Sequence, residues 1–276
     1  KRSFTNVITG DFLEVDLGNK KFDVIIGNPP YQGTKNNSLW KGFVKKILEL
    51  EPSVIVFITP RAILNGAKNE NQSLFMKIRD GLEYIEYVPY SVFKVGKNIA
   101  AWVYNKDKST NDTIIRLENN QELNSNIQQR SFLPYNGIDS KYYQITLKLI
   151  DSANTKNLHE YYSLFNSHSS GLVIPKSKHM DLRISFVTND KNNDPNVQSQ
   201  QFYFLPCKDP IAIKEYIDHP IFKYMWKVLG IQDGLGGTFF RKIPYIDNNK
   251  RYSKEEIYEY FSINEEEKVL IEQLVK

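Results

Sequence analysis

From Asn6 to about Leu117, short apolar bursts rich in Val and Ile alternate with stretches whose apolar residues recur three and four positions apart. The bursts are Val7-Ile8, Phe22 to Ile26, Ser53 to Ile58, Tyr84 to Val88 and Ile99 to Tyr104. Each is too short and too continuously apolar for a surface strand, and reads as a strand covered on both faces. Between them, Leu39, Phe43, Val44, Ile47 and Leu48, and then Leu74, Phe75, Ile78 and Leu82, have helical spacing. This pattern predicts an α/β unit on a parallel sheet. Ile99 to Tyr104 and Ile114 to Leu117 stand close together across a Lys/Asp/Ser/Asn stretch, which predicts an antiparallel hairpin closing the sheet.

The pattern then lapses. Asn119 to Gln129 is Asn/Gln-rich with few apolar anchors and reads as a linker or long loop, so the domain boundary is placed at residues 125/126. Beyond it the periodicity predicts a helix over Lys141–Asp151, strands near Leu172–Ile174 and Gln201–Leu205, and a helix over Ile221–Val228. Thr188 to Gln200 reads as a mobile Asn/Asp-rich loop. At the end, Ser253 is placed to cap a helix from Lys254 to Phe261, and Ser262 to Asn264 to open another from Glu265 to Val275. The second domain, 126–276, is therefore mixed α+β.

Composition narrows the function classes only a little. A length of 276 residues at 41% hydrophobic allows one large or two medium cores, and a net charge of +4 permits a nucleic-acid partner without demanding one. The single cysteine, Cys207, excludes an internal disulfide and a thiolate metal cluster and suits a reducing, cytoplasmic compartment. No metal site is expected, and no membrane: no run of eighteen apolar residues occurs. The chain opens on Lys1 rather than Met, and its first apolar burst arrives with nothing before it, which suggests a fragment of a longer protein.

The segment that carries chemistry is Phe22-Asp23-Val24-Ile25-Ile26-Gly27-Asn28-Pro29-Pro30-Tyr31, a buried strand ending in Asn-Pro-Pro-Tyr. In open α/β sheets ligands bind beyond the carboxyl ends of strands, where this tetrapeptide falls. Pro29 and Pro30 fix φ and remove two backbone donors, so the loop is rigid and rich in acceptors. Asn28 Oδ1 and the Pro29 carbonyl can accept both N–H groups of an exocyclic amine, which aims its lone pair at an electrophile. Tyr31 offers a flat face for an extruded base.

Asn28-Pro29-Pro30-Tyr31 resembles the catalytic motif of amino-group methyltransferases that use S-adenosylmethionine, and the chain resembles the N6-adenine DNA methyltransferases of restriction–modification systems, nearest to the TaqI-like type with the gamma order of motifs. The resemblance implies a partial Rossmann-like catalytic domain at 1–125 and a target-recognition domain at 126–276. It implies transfer of a methyl group from S-adenosylmethionine to a flipped adenine in double-stranded DNA. Gly10-Asp11-Phe12-Leu13 is similar to the family segment in which the acid accepts from the cofactor's adenine amine and the aromatic packs on its ring, so the resemblance places Asp11, Phe12, Asn28 and Pro30 at the cofactor. Phe57-Ile58-Thr59-Pro60-Arg61 resembles the next strand and its Pro-containing exit. Phe93, in Val92 to Ala100, corresponds to an aromatic on the opposite side of the flipped base from Tyr31.

The family's Gly-rich loop for the cofactor's methionine end is not found before Asp11, which implies a missing N-terminal region. The Gly-dense stretch Gly230 to Thr238 reads as a loop of the second domain. In that domain Lys176, Lys178, His179, Gln232 and Arg241 are candidate DNA contacts. Competing readings are a glutamine-N5 methyltransferase of release factors, disfavoured by the long second domain, an RNA adenine methyltransferase, and a non-catalytic DNA-recognition fragment or subunit. Asp209-Pro210 with Lys214 lacks the strand context of a nuclease motif, so restriction activity would lie in a separate endonuclease subunit or in missing sequence.

Overall fold

The computed structural model describes residues 7–32, 38–65, 69–94, 98–134, 139–155, 170–175, 186–195, 202–229, 243–244 and 251–276. The chain divides into two compact units, one of residues 1–63 and 73–129 and the other of 64–72 and 130–276.

Unit 1 is built on a mixed sheet. In chain order the elements up to its last strand are β1 (Val24–Gly27), α1 (Leu39–Glu49), β2 (Val54–Pro60), α2 (Ala62–Asn65), α3 (Asn69–Ile78), β3 (Leu82–Val88), α4 (Tyr90–Phe93), β4 (Ile99–Asn105), β5 (Asp112–Arg116) and β6 (Glu122–Asn126), of which the end of α2 and the start of α3 are counted with unit 2. The strands lie in the order β1-β2-β4-β3-β5-β6. β1 runs parallel to β2, while β4 is antiparallel to both β2 and β3. The carboxyl ends of β1, β2 and β3 therefore share one edge of the sheet.

This order corrects the expected hairpin. β4 does not turn back onto β5; it inserts between β2 and β3, and β5 pairs parallel to β3. Ile99, Ala100 and Trp102 are buried, and a strand so covered gains most where both of its backbone edges are also paired. The hairpin that closes the sheet is β5–β6, with Asp112 opposite Asn126 and Arg116 opposite Glu122. The Asn/Gln-rich stretch is thus partly strand and not wholly linker. Its anchors are Leu123 and Ile127, both buried, and a left-handed Asn120 makes the turn at φ 64°. Val7 and Ile8, expected as a first strand, carry no strand and are exposed. Two apolar residues followed by Thr9-Gly10 are too few to hold a register without a neighbour.

The core of this unit is made of Trp40, Val44 and Ile47 of α1, Ile55 and Phe57 of β2, Leu74, Phe75 and Ile78 of α3, and Trp102 of β4. Trp102 donates its indole N–H to Thr59 Oγ1 at 3.0 Å, which satisfies both buried groups. Gly81 stands where a Cβ would come within 2.4 Å of the Tyr104 ring and 2.7 Å of the Asn105 carbonyl, so the start of β3 can approach β4 only with glycine there.

Unit 2 contains α5 (Ser140–Thr155), a sheet of β7 (Gly171–Pro175), β8 (Phe186–Thr188) and β9 (Phe202–Pro206) in the order β8-β7-β9, and the helices α6 (Pro210–Asp218), α7 (Pro220–Val228), α8 (Lys254–Tyr260) and α9 (Glu265–Val275). Its core draws Ile145 and Leu149 from α5, Leu172 and Ile174 from β7, Ile213 and Tyr216 from α6, Ile221 and Tyr224 from α7, Tyr258 from α8 and Ile271 from α9. Ser253 and Asn264 cap α8 and α9 in reciprocal capping boxes with Glu256 and Glu267. Within the expected loop Thr188 to Gln200, Thr188 ends β8 and 189–195 form turns around Asp190; 196–200 lie outside the described residues.

α6 was not legible from periodicity, yet its start was written in the sequence. Asp209 accepts from the Ile211 and Ala212 amides at 3.1 Å with Pro210 in the first turn, an N-cap arrangement. α7 repeats the device with His219 and Pro220.

Candidate active site

The tetrapeptide begins directly after β1, which lies at the end of the strand order beside β2 and is not the buried strand expected: Val24 and Ile26 are exposed, and Ile25 and Gly27 are half-buried. Gly27 lies opposite Phe57 of β2, and a Cβ there would meet the Phe57 ring at 2.7 Å. The strand can therefore deliver its last residue beside a full-sized aromatic only because that residue is glycine. Pro29 is then buried while Asn28 and Pro30 are exposed and Tyr31 is half-buried. One proline anchors the loop and the amide projects from it.

Tyr31 folds back on Asn28, its hydroxyl donating to Oδ1 at 2.9 Å. Partial burial holds the Tyr31 hydroxyl above its ordinary pKa, with the bond to Asn28 pulling the other way, so it remains a donor at neutral pH. An amide oxygen accepts two hydrogen bonds, which leaves one acceptor position on Asn28 for an incoming amine.

Asp11 and Phe12 are held on α1. Asp11 Oδ1 accepts from the Leu13 amide at 2.9 Å and its carbonyl accepts from Glu14 and Val15, making a tight turn with the carboxylate exposed. The half-buried Phe12 ring stacks on Phe43 with centroids 5.1 Å apart and planes at 22°. Lys46 secures the turn: its ammonium donates to the Leu13 and Val15 carbonyls at 3.1 and 2.7 Å and lies 5.2 Å from the Phe12 centroid. Lys46 was not singled out in the sequence; its signal was a lysine one turn from Phe43 on the helix that follows the Asn28–Tyr31 loop.

Phe93 is half-buried at the end of α4, with Lys94 in the left-handed region at φ 51° ending the turn. It follows β3 and so emerges at the same edge of the sheet as Asn28. In the strand order, β2 and β4 separate β1 from β3, three steps that span about 14 Å. Arg61 stands in that interval, at the end of β2, with its side chain 2% exposed. The structure thus brings Asn28 and Tyr31 into contact and sets Asp11 and Phe12 against α1. Lys176, Lys178, His179, Gln232 and Arg241, together with Gly230 to Thr238, lie outside the described residues.

Residues 2–93 match the Eco57I restriction-modification methylase family. That stretch contains Asp11, Phe12, Asn28 to Tyr31 and Phe93. Over 81 residues the chain is 35% identical to a protein of Mycoplasma pneumoniae described as an uncharacterized adenine-specific methylase, a match covering 26% of this chain and 18% of that protein. The chain therefore matches only a small part of that relative's length. Among solved structures, the type I restriction-modification methyltransferase subunit of Streptococcus thermophilus shares 14% identity over 38% of this chain and 28% of its own, at a TM-score of 0.31. A type I restriction-modification complex shares 12% identity over 97% of this chain and 47% of its own, at 0.34. The type IIG restriction endonuclease BpuSI shares 14% over 55% and 21%, at 0.31.

Among the described residues no three His, Cys, Asp or Glu side chains gather as a metal site, and no helix is long and apolar enough to cross a membrane.

Proposed function

We propose that this chain carries the catalytic loop and target-base pocket of an S-adenosylmethionine-dependent DNA adenine-N6 methyltransferase of a restriction–modification system, with unit 2 as its DNA target-recognition domain. The observation that carries the reading is the rigid Asn28-Pro29-Pro30-Tyr31 loop at the carboxyl end of β1, inside the stretch that matches the methylase family. Asn28 Oδ1 and the Pro29 carbonyl accept the two N–H groups of the adenine amine, leaving its lone pair directed outward. Tyr31 and Phe93 flank the extruded ring. Stacking and pocket contacts offset an unstacking cost of roughly a few kcal/mol.

The residues present fit the adenosine end of the cofactor. The Asp11 carboxylate is exposed and its turn is tied down by Leu13, while Phe12 presents a partly open ring backed by Phe43. Asp11 would accept from the cofactor's adenine amine and Phe12 would pack on its ring. When bound, the cofactor supplies the activated methyl group. The amine is the nucleophile once Asn28 and Pro29 orient it, so no covalent enzyme intermediate is needed. Lys176, Lys178, Gln232 and Arg241 are the candidate DNA contacts, and an endonuclease subunit is the candidate protein partner.

The test is transfer of a labelled methyl group from S-adenosylmethionine to mixed-sequence duplex DNA by the intact protein and its Asn28→Ala variant. Transfer to adenine N6 that falls by about a hundredfold or more in the variant supports the reading. Unchanged transfer in Asn28→Ala, or methylation of RNA in place of duplex DNA, overturns it.

A further inference from the structure

Arg61 is a charged residue taken almost wholly out of water, and such a charge persists only where its hydrogen bonds are met. Its Nε donates to the Ile99 carbonyl and Nη2 to the Val88 carbonyl, both at 2.8 Å, and Nη1 donates to Glu118 Oε1 at 2.6 Å. Its guanidinium lies 5.0 Å from the Tyr87 ring centroid, and its own amide donates to the Asn98 carbonyl at 2.9 Å. Val88 is the last residue of β3 and Ile99 the first of β4. One side chain therefore holds both roots of the connection 89–98, the segment that carries Phe93.

We propose that Arg61, oriented by Glu118, is a positioning residue that fixes the Phe93 segment at the catalytic edge of the sheet; this rests on the reading of Phe93 as one wall of the base pocket. The geometry gives the reason. Arg61 directly follows β2, which is paired to β1 and so to the strand that delivers Asn28. The planar fork reaches two carbonyls and a carboxylate at once, so the position of the 89–98 roots is referred to the same strand that positions the acceptor loop. A lysine ammonium keeps the charge but lacks the fork and does not hold both carbonyls in one plane. The occupant of the site does not touch Arg61 in this scheme. Its effect is on how well the extruded base is held, not on how tightly duplex DNA is bound.

The test has two independent arms on the intact protein, with Arg61→Lys and Glu118→Gln compared with Phe93→Ala. In the first, amide hydrogen exchange across 89–98 rises by about tenfold or more in Arg61→Lys and less in Glu118→Gln, while exchange in β2 and α1 is unchanged. Exchange in 89–98 equal to the parent's, or rising equally throughout unit 1, overturns the positioning role whatever the reaction is. In the second, Arg61→Lys and Phe93→Ala both lower kcat with the KM for DNA changed by less than about threefold. A lowered kcat in Phe93→Ala with a parental kcat in Arg61→Lys also overturns the proposal. Parental kcat in Phe93→Ala overturns the reading of the base pocket instead, and the exchange arm still judges the clasp.

Discussion

Asn28 has a single amide oxygen for the chemistry assigned to it, and the Tyr31 hydroxyl, 2.9 Å away, already occupies one of its two acceptor positions. This contact separates two contributions of one residue, the ring that would stack and the hydroxyl that orients the amide. Tyr31→Phe keeps the ring and frees Asn28, and is expected to retain kcat/KM within about threefold. Tyr31→Ala removes the stacking face and is expected to lose about 1–3 kcal/mol of stabilisation, roughly 5- to 150-fold in kcat/KM. Steady-state methylation of duplex DNA measures both, and a phenylalanine variant as poor as the alanine variant would assign the function to the hydroxyl. Cys207 illustrates the opposite case. It is buried, and burial pushes its thiol up to about 12, so it is a packing residue rather than a nucleophile.

At the scale of elements, the sequence was informative about where strands and helices begin but not about which edges meet. β2, β3, β4 and α1 fall where the apolar bursts and the helical spacing predict them. Nothing in the alternation of Ile99 to Tyr104 states that both of its neighbours are antiparallel, because burial of the side chains is the same in any central position. The polar β6 was missed because an edge strand draws its stability from ladder hydrogen bonds and from one or two anchors, here Leu123 and Ile127. Helix starts are more local. Asp209 caps α6 through two amides, so Asp209→Ala is expected to cost about 1 kcal/mol in urea unfolding, while Asp209→Asn is expected to stay within a few tenths. Equal losses in the two variants would show that the carboxylate's charge, rather than its capping oxygen, is what matters.

For the molecule as a whole, the two units have separate cores, and a buried histidine makes the stability of unit 2 depend on pH. His219, in unit 2, is 4% exposed; its Nδ1 accepts from the Ile221 amide at 3.1 Å and its Nε2 lies 3.1 Å from the Lys254 carbonyl. Burial lowers its pKa to about 4, with Lys254 also lowering it and its bond to the Lys254 carbonyl and the Glu255 and Glu272 carboxylates opposing. The native state thus holds the ring neutral, whereas the unfolded chain takes up a proton near the ordinary value of 6.5. The contribution is complete above pH 6.5 and is lost as the pH falls toward about 4, a change of about 3 kcal/mol across that window. Hydrogen exchange at pH 7 and pH 5 is expected to show α7 and α8 losing protection in the parent and much less in His219→Asn, which keeps a cap but does not titrate. Equal acid sensitivity in the two proteins would place the loss elsewhere.

The sequence by itself determined the local matters: where the central strands β2, β3 and β4 run, which residues cap α8 and α9, and the Asn-Pro-Pro-Tyr loop whose rigidity is covalent. Those properties depend on neighbours within a few positions, so they survive in the linear pattern. The tertiary structure alone decided the insertion of β4 between β2 and β3, the stacking of Phe12 on Phe43 under Lys46, the Tyr31 contact to Asn28, and the hold of Arg61 on Val88 and Ile99. Each of these except the Tyr31 contact joins residues far apart in sequence, and the physical reason is common to them. A buried polar or aromatic group must find its partner in space, and the periodicity of its own segment carries no record of which partner that is.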